Sequence, residues 1–213
     1  MDEIDLARIR RSYELAELRE ETISRNPIEQ LQQWLHEAHN AGVLEPNAMC
    51  VSTALGGQPS ARIVLLRGLD ERGLVFFTSY FSRKGQEIEA NPRAAVLFYW
   101  PLLERQVRIE GRVDQLPEDE SDAYFAGRPR GHQIGAWASE QSEPVENREI
   151  LDQRMRDYSE RFEGEEVPRP HSWGGYMIRP ARVEFWQGRP NRMHDRLEFT
   201  RDGNVWSVRR LQP

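Results

Sequence analysis

From Val183 to Arg196 the chain runs Val183-Glu184-Phe185-Trp186-Gln187-Gly188-Arg189-Pro190-Asn191-Arg192-Met193-His194-Asp195-Arg196. A short run of alternating bulky residues breaks at Gly188 and Pro190, then resumes with Arg192, His194 and Arg196. Spaced by two, these three would share one face of an extended chain, with Trp186 as a flat aromatic wall nearby. Two guanidiniums, an imidazole and an indole suit a planar ligand that carries a phosphate. The same composition also describes a solvated hairpin rim with its Trp packed into the core.

Other stretches have a similar character. Ser82 is placed to cap a helix whose first turn holds Arg83 and Lys84, two cations beside the positive end of the dipole, with no acid before Glu87. An anion bound by Ser82, Arg83, Lys84 and the free backbone N–H groups would relieve that arrangement; salt screening of two exposed cations would too. Arg62 and Arg67 flank an apolar run, and Arg128 and Arg130 follow Tyr124 closely, a pattern that a solvated helix face also produces. Arg10-Arg11-Ser12-Tyr13 by itself reads as a solvated tail.

Composition narrows the field. The 213 residues carry a net charge of −6, with 30% charged and 38% hydrophobic residues, which describes a globular chain large enough to bury a core. The acidic balance argues against a nucleic-acid binder that relies on a general basic surface. The single Cys50, in an apolar run, excludes an intramolecular disulfide and reads as a small buried hydrophobe. The five histidines, His36, His39, His132, His171 and His194, lack zinc spacing, so no metal is expected. Neither phosphate-loop nor dinucleotide-fold glycine patterns occur. An acidic start and the lack of any apolar run near ~18 residues lead to the expectation of a cytoplasmic protein.

The elements that must position these residues are mostly strands. Residues 1–25 are charged, with Leu6, Ile9 and Tyr13 at helical spacing, and are expected to form a mobile arm or lid ahead of one domain over 26–213. Asn26-Pro27-Ile28-Glu29 opens a helix by a capping box, with Ile28, Leu31, Leu35 and Ala38 buried and an end near Ala41-Gly42. Strands follow at Ala48 to Leu55, Ser60 to Arg67 and Gly73 to Ser79, the first two joined by a Gly56-Gly57 turn. The runs Ile63-Val64-Leu65-Leu66 and Leu74-Val75-Phe76-Phe77 are apolar on both faces and read as central strands. Ala94 to Trp100 and Gln106 to Leu116 form a further pair, acids after Pro117 open a helix, and Glu146 to Phe162 is an exposed helix. Gly174 to Ile178, Arg182 to Gln187, Arg196 to Arg201 and Val205 to Arg210 close the chain as strands. The class is β-rich α+β.

Taken in order, the segments Arg62 to Arg67, Phe77-Thr78, Ser82-Arg83-Lys84, Glu104-Arg105-Gln106, Gln133 to Trp137, Gln141-Ser142, Trp173-Gly174-Gly175 and the C-terminal run resemble the pyridoxamine 5'-phosphate oxidase family. The resemblance covers Arg10 to Pro213. It implies a split β-barrel FMN-binding fold with peripheral helices, and a homodimer with FMN at the subunit interface. FMN would be held by Arg62 and its strand (Ile63, Val64, Leu65, Leu66, Arg67), by Phe77, Thr78, Arg83 and Lys84, and by Gln106, Gln141, Ser142, Trp186 and Arg196. The substrate phosphate would meet Arg67, Tyr124, Arg128 and His132. Arg192 and His194 would flank its ring as the catalytic pair, and Arg10 and Tyr13 would close over it. Arg67 stands where the family has a lysine, and His132 where it commonly has a serine. The implied reaction is FMN-dependent oxidation of pyridoxamine or pyridoxine 5'-phosphate to pyridoxal 5'-phosphate, with O2 reduced to hydrogen peroxide. The same fold acting on another aromatic, as in phenazine-pathway oxidases, and a non-catalytic carrier of flavin or pyridoxal phosphate are the alternatives.

Overall fold

The structure is a computed structural model that describes residues 5–8, 11–203 and 205–213. The chain is organised as two compact units. The first draws on Met1–Asn47, Val96–Ile109 and Ala181–Pro213, the second on Ala48–Ala95 and Glu110–Pro180. Nine strands and five α-helices are described: α1 Pro27–Asn40, β1 Ala48–Leu55, β2 Gln58–Leu65, β3 Gly68–Asp70, β4 Gly73–Ser79, α2 Arg83–Ala90, β5 Arg93–Trp100, β6 Arg105–Gln115, α3 Glu118–Ala126, α4 Arg130–Ala138, α5 Arg148–Arg161, β7 Trp173–Gln187, β8 Asp195–Asp202 and β9 Val205–Arg210. The strand order is β2-β1-β5-β6-β7-β4-β3, with β8 paired to β7 and β9 to β8. Among the described residues no helix is long and apolar enough to cross a membrane.

In the second unit, β1 and β2 form a hairpin whose Leu55↔Gln58 pair closes on Gly56 and Gly57. Their φ angles of 57° and 83° are what glycine permits at low cost. β4 is buried along most of its length and pairs in antiparallel register with the start of β7, Phe76 opposite Tyr176 and Thr78 opposite Gly174. β2 differs from the expected central strand: it ends the strand order, and Ile63 is 65% exposed. Within its apolar run Ile63 is exposed, Val64 and Leu65 are half-buried and only Leu66 is buried, whereas β4 is buried along most of its length. The Arg67 N–H donates to Val75 O at 2.8 Å, bringing the chain that leaves β2 alongside β4. Cys50 is half-buried. A second core under α3, α4 and α5 gathers Phe125, Ile134, Phe162, Val167 and Trp173.

The first unit is built around aromatic side chains. Trp34 of α1 meets Phe185 edge-on at 5.0 Å, and Phe185 meets Phe199 at 5.8 Å. The expected face of α1 holds except that Trp34 and Gln30 are buried while Leu35 is half-buried. Asn26 caps as expected, accepting from Ile28 N–H, but the capping box does not form: Glu29 accepts from Ser24 Oγ, and Ser24 Oγ accepts from Asn26 N–H. Val107 and Ile109 point inward from β6 while Arg108 faces out, the alternation read from sequence. The two strands expected between Gly174 and Gln187 are one strand, continuous past Pro180, because β4 pairs with its first part and β8 with its last.

Candidate active site

The second unit contains a cavity of about 820 Å³. β2 contributes Arg62, Ile63, Val64 and Leu65 to its wall, and β4 contributes Phe77 and Thr78. Arg67, Lys84, Tyr124, Arg128, His132, Gln141 and Trp173 complete most of the rest. Lys84, on the first turn of α2, is buried, and its ammonium donates to Gln141 Oε1 at 2.9 Å, Thr78 Oγ1 at 3.0 Å and Ser82 Oγ at 3.2 Å. Burial, with Arg62 second, lowers its pKa to about 8. Arg62 is held from three sides, by Thr53 Oγ1 at 2.6 Å, Ser60 Oγ at 2.7 Å and Glu87 at 2.9 Å. Glu87 is itself buried; burial disfavours its charge, but hydrogen bonds from Thr53, Arg62 and Arg83 outweigh this and hold its carboxyl below the usual range. Arg62 is thereby fixed before any ligand arrives.

A second cationic group lies in the same cavity. Arg128 stacks over the Trp173 ring at 4.4 Å, and its buried Nη1 has no hydrogen-bond partner among the described residues. Burial, with nearby Arg67 adding to it, pushes the guanidinium pKa down. A buried donor left unsatisfied costs on the order of 1–3 kcal/mol, and an anion would satisfy it. Phe77 lies flat against Tyr124 at 3.7 Å and stacks on Trp173 at 5.5 Å. The cavity thus offers two anion-seeking groups and an aromatic wall, the chemistry needed to hold phosphorylated planar molecules.

The C-terminal cluster belongs to the first unit. Trp186 and His194 lie 4.6 Å apart, and Tyr13 meets both edge-on at 5.8 and 5.7 Å. His194 Nδ1 accepts the Arg189 N–H at 3.1 Å, leaving Nε2 to carry the proton of the neutral ring. Burial and then the Arg192 charge lower the His194 pKa, which favours that neutral form. Arg196 donates to Glu184 at 2.7 Å and to Gln212 O at 2.9 Å. The expected extended run from Arg192 to Arg196 is not found. Pro190 opens a 3-10 turn in which Asn191 and Arg192 have φ of 55° and 62°, and β8 begins only at Asp195. Arg192 is therefore presented on a turn, exposed.

Not all expected site residues line the cavity. Leu66 is buried in the core, Arg83 pairs with Glu87 at 2.9 Å, Ser142 is exposed with φ 77°, and Gln106 lies in the first unit, half-buried on β6. Arg10 lies outside the described residues. Sequence reasoning gives no site role to Trp173, Ala123, Gly127 and Pro129 in the wall, or to Thr53 and Glu87 behind Arg62. A Trp before two glycines is the one local signal for Trp173; Glu87 has Arg83 four residues ahead as a local partner, but Arg62 and Thr53 lie 25 and 34 residues back.

A nine-stranded antiparallel sheet with several helices and, in the second unit, a cationic, aromatic-walled cavity place the chain among β-rich α+β folds built to bind small molecules. Residues 35–186 match the pyridoxamine 5'-phosphate oxidase family, and residues 173–213 match the pyridoxine 5'-phosphate oxidase C-terminal dimerisation region. The chain therefore belongs to the pyridoxamine 5'-phosphate oxidase family, whose split-barrel fold it has, and is an oxidoreductase. It is 59% identical over 210 residues to a pyridoxine/pyridoxamine 5'-phosphate oxidase of Rubrobacter xylanophilus, covering 98% of this chain and 97% of that one. It is 54% identical to one from Cupriavidus necator, covering 98% and 99%. Among solved structures it is similar to PhzG from Burkholderia lata in complex with tetrahydrophenazine-1-carboxylic acid, with a TM-score of 0.86 and 35% identity over 91% of this chain and 95% of that one.

Proposed function

We propose that this protein oxidises pyridoxine 5'-phosphate and pyridoxamine 5'-phosphate to pyridoxal 5'-phosphate, using FMN as cofactor and O2 as electron acceptor, as a homodimer with FMN at the subunit interface. The observation that carries the reading is the pairing, in one cavity, of a prepared cationic site at Lys84 and Arg62 with an unsatisfied Arg128. A phosphorylated cofactor and a phosphorylated substrate would use one each. FMN fits the first: its phosphate would replace neutral acceptors such as Gln141 and Ser82 on the Lys84 ammonium, with the Arg62 guanidinium held nearby, and β2 offers an edge for a flavin ring.

When bound, FMN would supply the two-electron acceptor and pass the pair to O2, giving hydrogen peroxide; with pyridoxamine 5'-phosphate, water would supply the aldehyde oxygen and the nitrogen would leave as ammonia. The chain's own share is placement. Arg128, with Arg67 and His132 on the same wall, takes the substrate phosphate and fixes the ring's register. Arg192 orients the ring and offsets charge developing on it, while the neutral His194 presents its Nε2–H as a donor. Exposed Ile63 and the match at 173–213 support the dimer.

A second reading, oxidation of an unphosphorylated aromatic acid, is favoured by the likeness to PhzG. The two are separated by supplying the purified protein with FMN, O2 and, in turn, each phosphorylated substrate or tetrahydrophenazine-1-carboxylic acid. The proposal expects pyridoxal 5'-phosphate and peroxide in equal amounts from the phosphorylated substrates, with far weaker turnover of the carboxylic acid. Absence of product from both phosphorylated substrates contradicts it.

A further inference from the structure

Glu104 is an acid that the proposed reaction does not use, yet it is 2% exposed and its backbone has φ 55°. A left-handed glutamate is uncommon and needs a reason. One carboxylate oxygen, Oε2, accepts the backbone N–H of Glu14 at 2.9 Å and of Leu15 at 3.2 Å; the other lies 3.2 Å from the Arg11 guanidinium. Some 90 residues of chain separate the partners, so the contact is made by the fold and not by local sequence. The Glu104 carbonyl also accepts the Gly188 N–H at 2.7 Å, tying the same residue to the end of the Trp186 strand.

Gly188 supplies the other half of the arrangement. A Cβ built there would lie 2.7 Å from Tyr13 Cγ and 3.1 Å from Glu104 Cβ. The missing side chain is the space in which the Tyr13 ring sits, edge-on to both Trp186 and His194. Segment 11–15 therefore rests on a receptor made of a buried carboxylate and a glycine notch. We propose that Glu104 is a positioning residue: its carboxylate docks the N-terminal segment so that Tyr13 is held against His194, and Gly188 makes room for it. That this placement serves substrate binding rests on the function proposed above.

The docking can be tested apart from the reaction. Amide hydrogen exchange on the FMN-loaded protein reads Glu14 and Leu15 directly. In Glu104→Ala these two amides should exchange at least about tenfold faster, the loss of hydrogen bonds to a charged group, while the β7–β8 ladder keeps its protection. KM for pyridoxine 5'-phosphate should rise by about the same factor with kcat nearly unchanged. Glu104→Gln keeps a carbonyl oxygen for the two amides and should restore most of the protection. Gly188→Ala, which keeps the carboxylate group and fills the notch against Tyr13, should reproduce the KM effect. Should Glu104→Ala fail to fold, Glu104→Gln and Gly188→Ala decide by the same readouts. Unchanged exchange at Glu14 and Leu15 in Glu104→Ala, or unchanged KM in both Glu104→Ala and Gly188→Ala, overturns the proposal. Lack of turnover by the unsubstituted protein would instead count against the proposed function, leaving the exchange result to judge the docking.

Discussion

The Lys84 ammonium and the Gln141 side chain meet at 2.9 Å across 57 residues of sequence, with Thr78 Oγ1 bonded to both. A buried cation with three neutral partners is still short of charge. Its pKa, drawn down to about 8 from 10.5, records that deficit. A bound phosphate would supply the missing charge and raise the pKa again. FMN affinity is therefore expected to fall as pH rises above about 8, by up to about tenfold per unit. The FMN-free protein should show the opposite trend: between about 8 and 10.5 the unfolded chain holds more protons than the folded one, so stability rises with pH across that window. Flavin titrations and denaturant melts from about pH 7 to 10.5 check both, and Lys84→Met should flatten both.

Arg128 is the clearest case of a buried donor awaiting a ligand. Removing it as Arg128→Ala should raise KM for the phosphorylated substrates about ten- to a hundredfold, the worth of a charge-assisted hydrogen bond, with a smaller change in kcat. Arg128→Lys should restore little, since a point cation cannot both stack on Trp173 and present a planar fork. Steady-state kinetics with FMN saturating checks this.

Arg192 combines exposure with a left-handed backbone at φ 62°. Arg192→Gly should therefore melt no lower than the unsubstituted protein, because glycine accepts φ 62° freely. The same variant should keep its FMN and lose turnover by about a hundredfold or more. A thermal melt and a flavin spectrum beside an activity assay read all three.

Phe185 is fully buried between Trp34 and Phe199. Phe185→Ala should cost about 3–5 kcal/mol, read by denaturant unfolding. Wherever that residual stability still supports folding, the Lys84 grouping should stay intact, because it lies in the other unit.

What sequence can and cannot reveal follows from range. The Gly56-Gly57 hairpin, the alternation of β6, the Asn26 cap and the Ser82 start of α2 are local, and each is where pattern and spacing put it. The apolar run of β2 reads as a central strand yet ends the strand order, because hydrophobicity reports a tendency to be covered and not a strand's place in the sheet. The break expected near Pro180 does not occur, since its neighbours pair on either side of it. Of the cavity, Arg62, Lys84, Arg128 and their neighbours are legible as cations in unusual company. The roles of Glu87 and Glu104 are not: Arg83 is a local i,i+4 partner of Glu87, but the groups that hold each buried carboxylate in place also lie 25 and 90 residues away, where no local pattern reports them.

The central claim is that a flavin in this cavity takes electrons from a phosphorylated pyridine. It is tested most directly by an anaerobic absorbance titration of the FMN-loaded protein with pyridoxamine 5'-phosphate. The flavin band should bleach in proportion to substrate added, and return on admitting air with pyridoxal 5'-phosphate left in solution. A loaded flavin whose band stays unchanged under excess substrate would contradict the account.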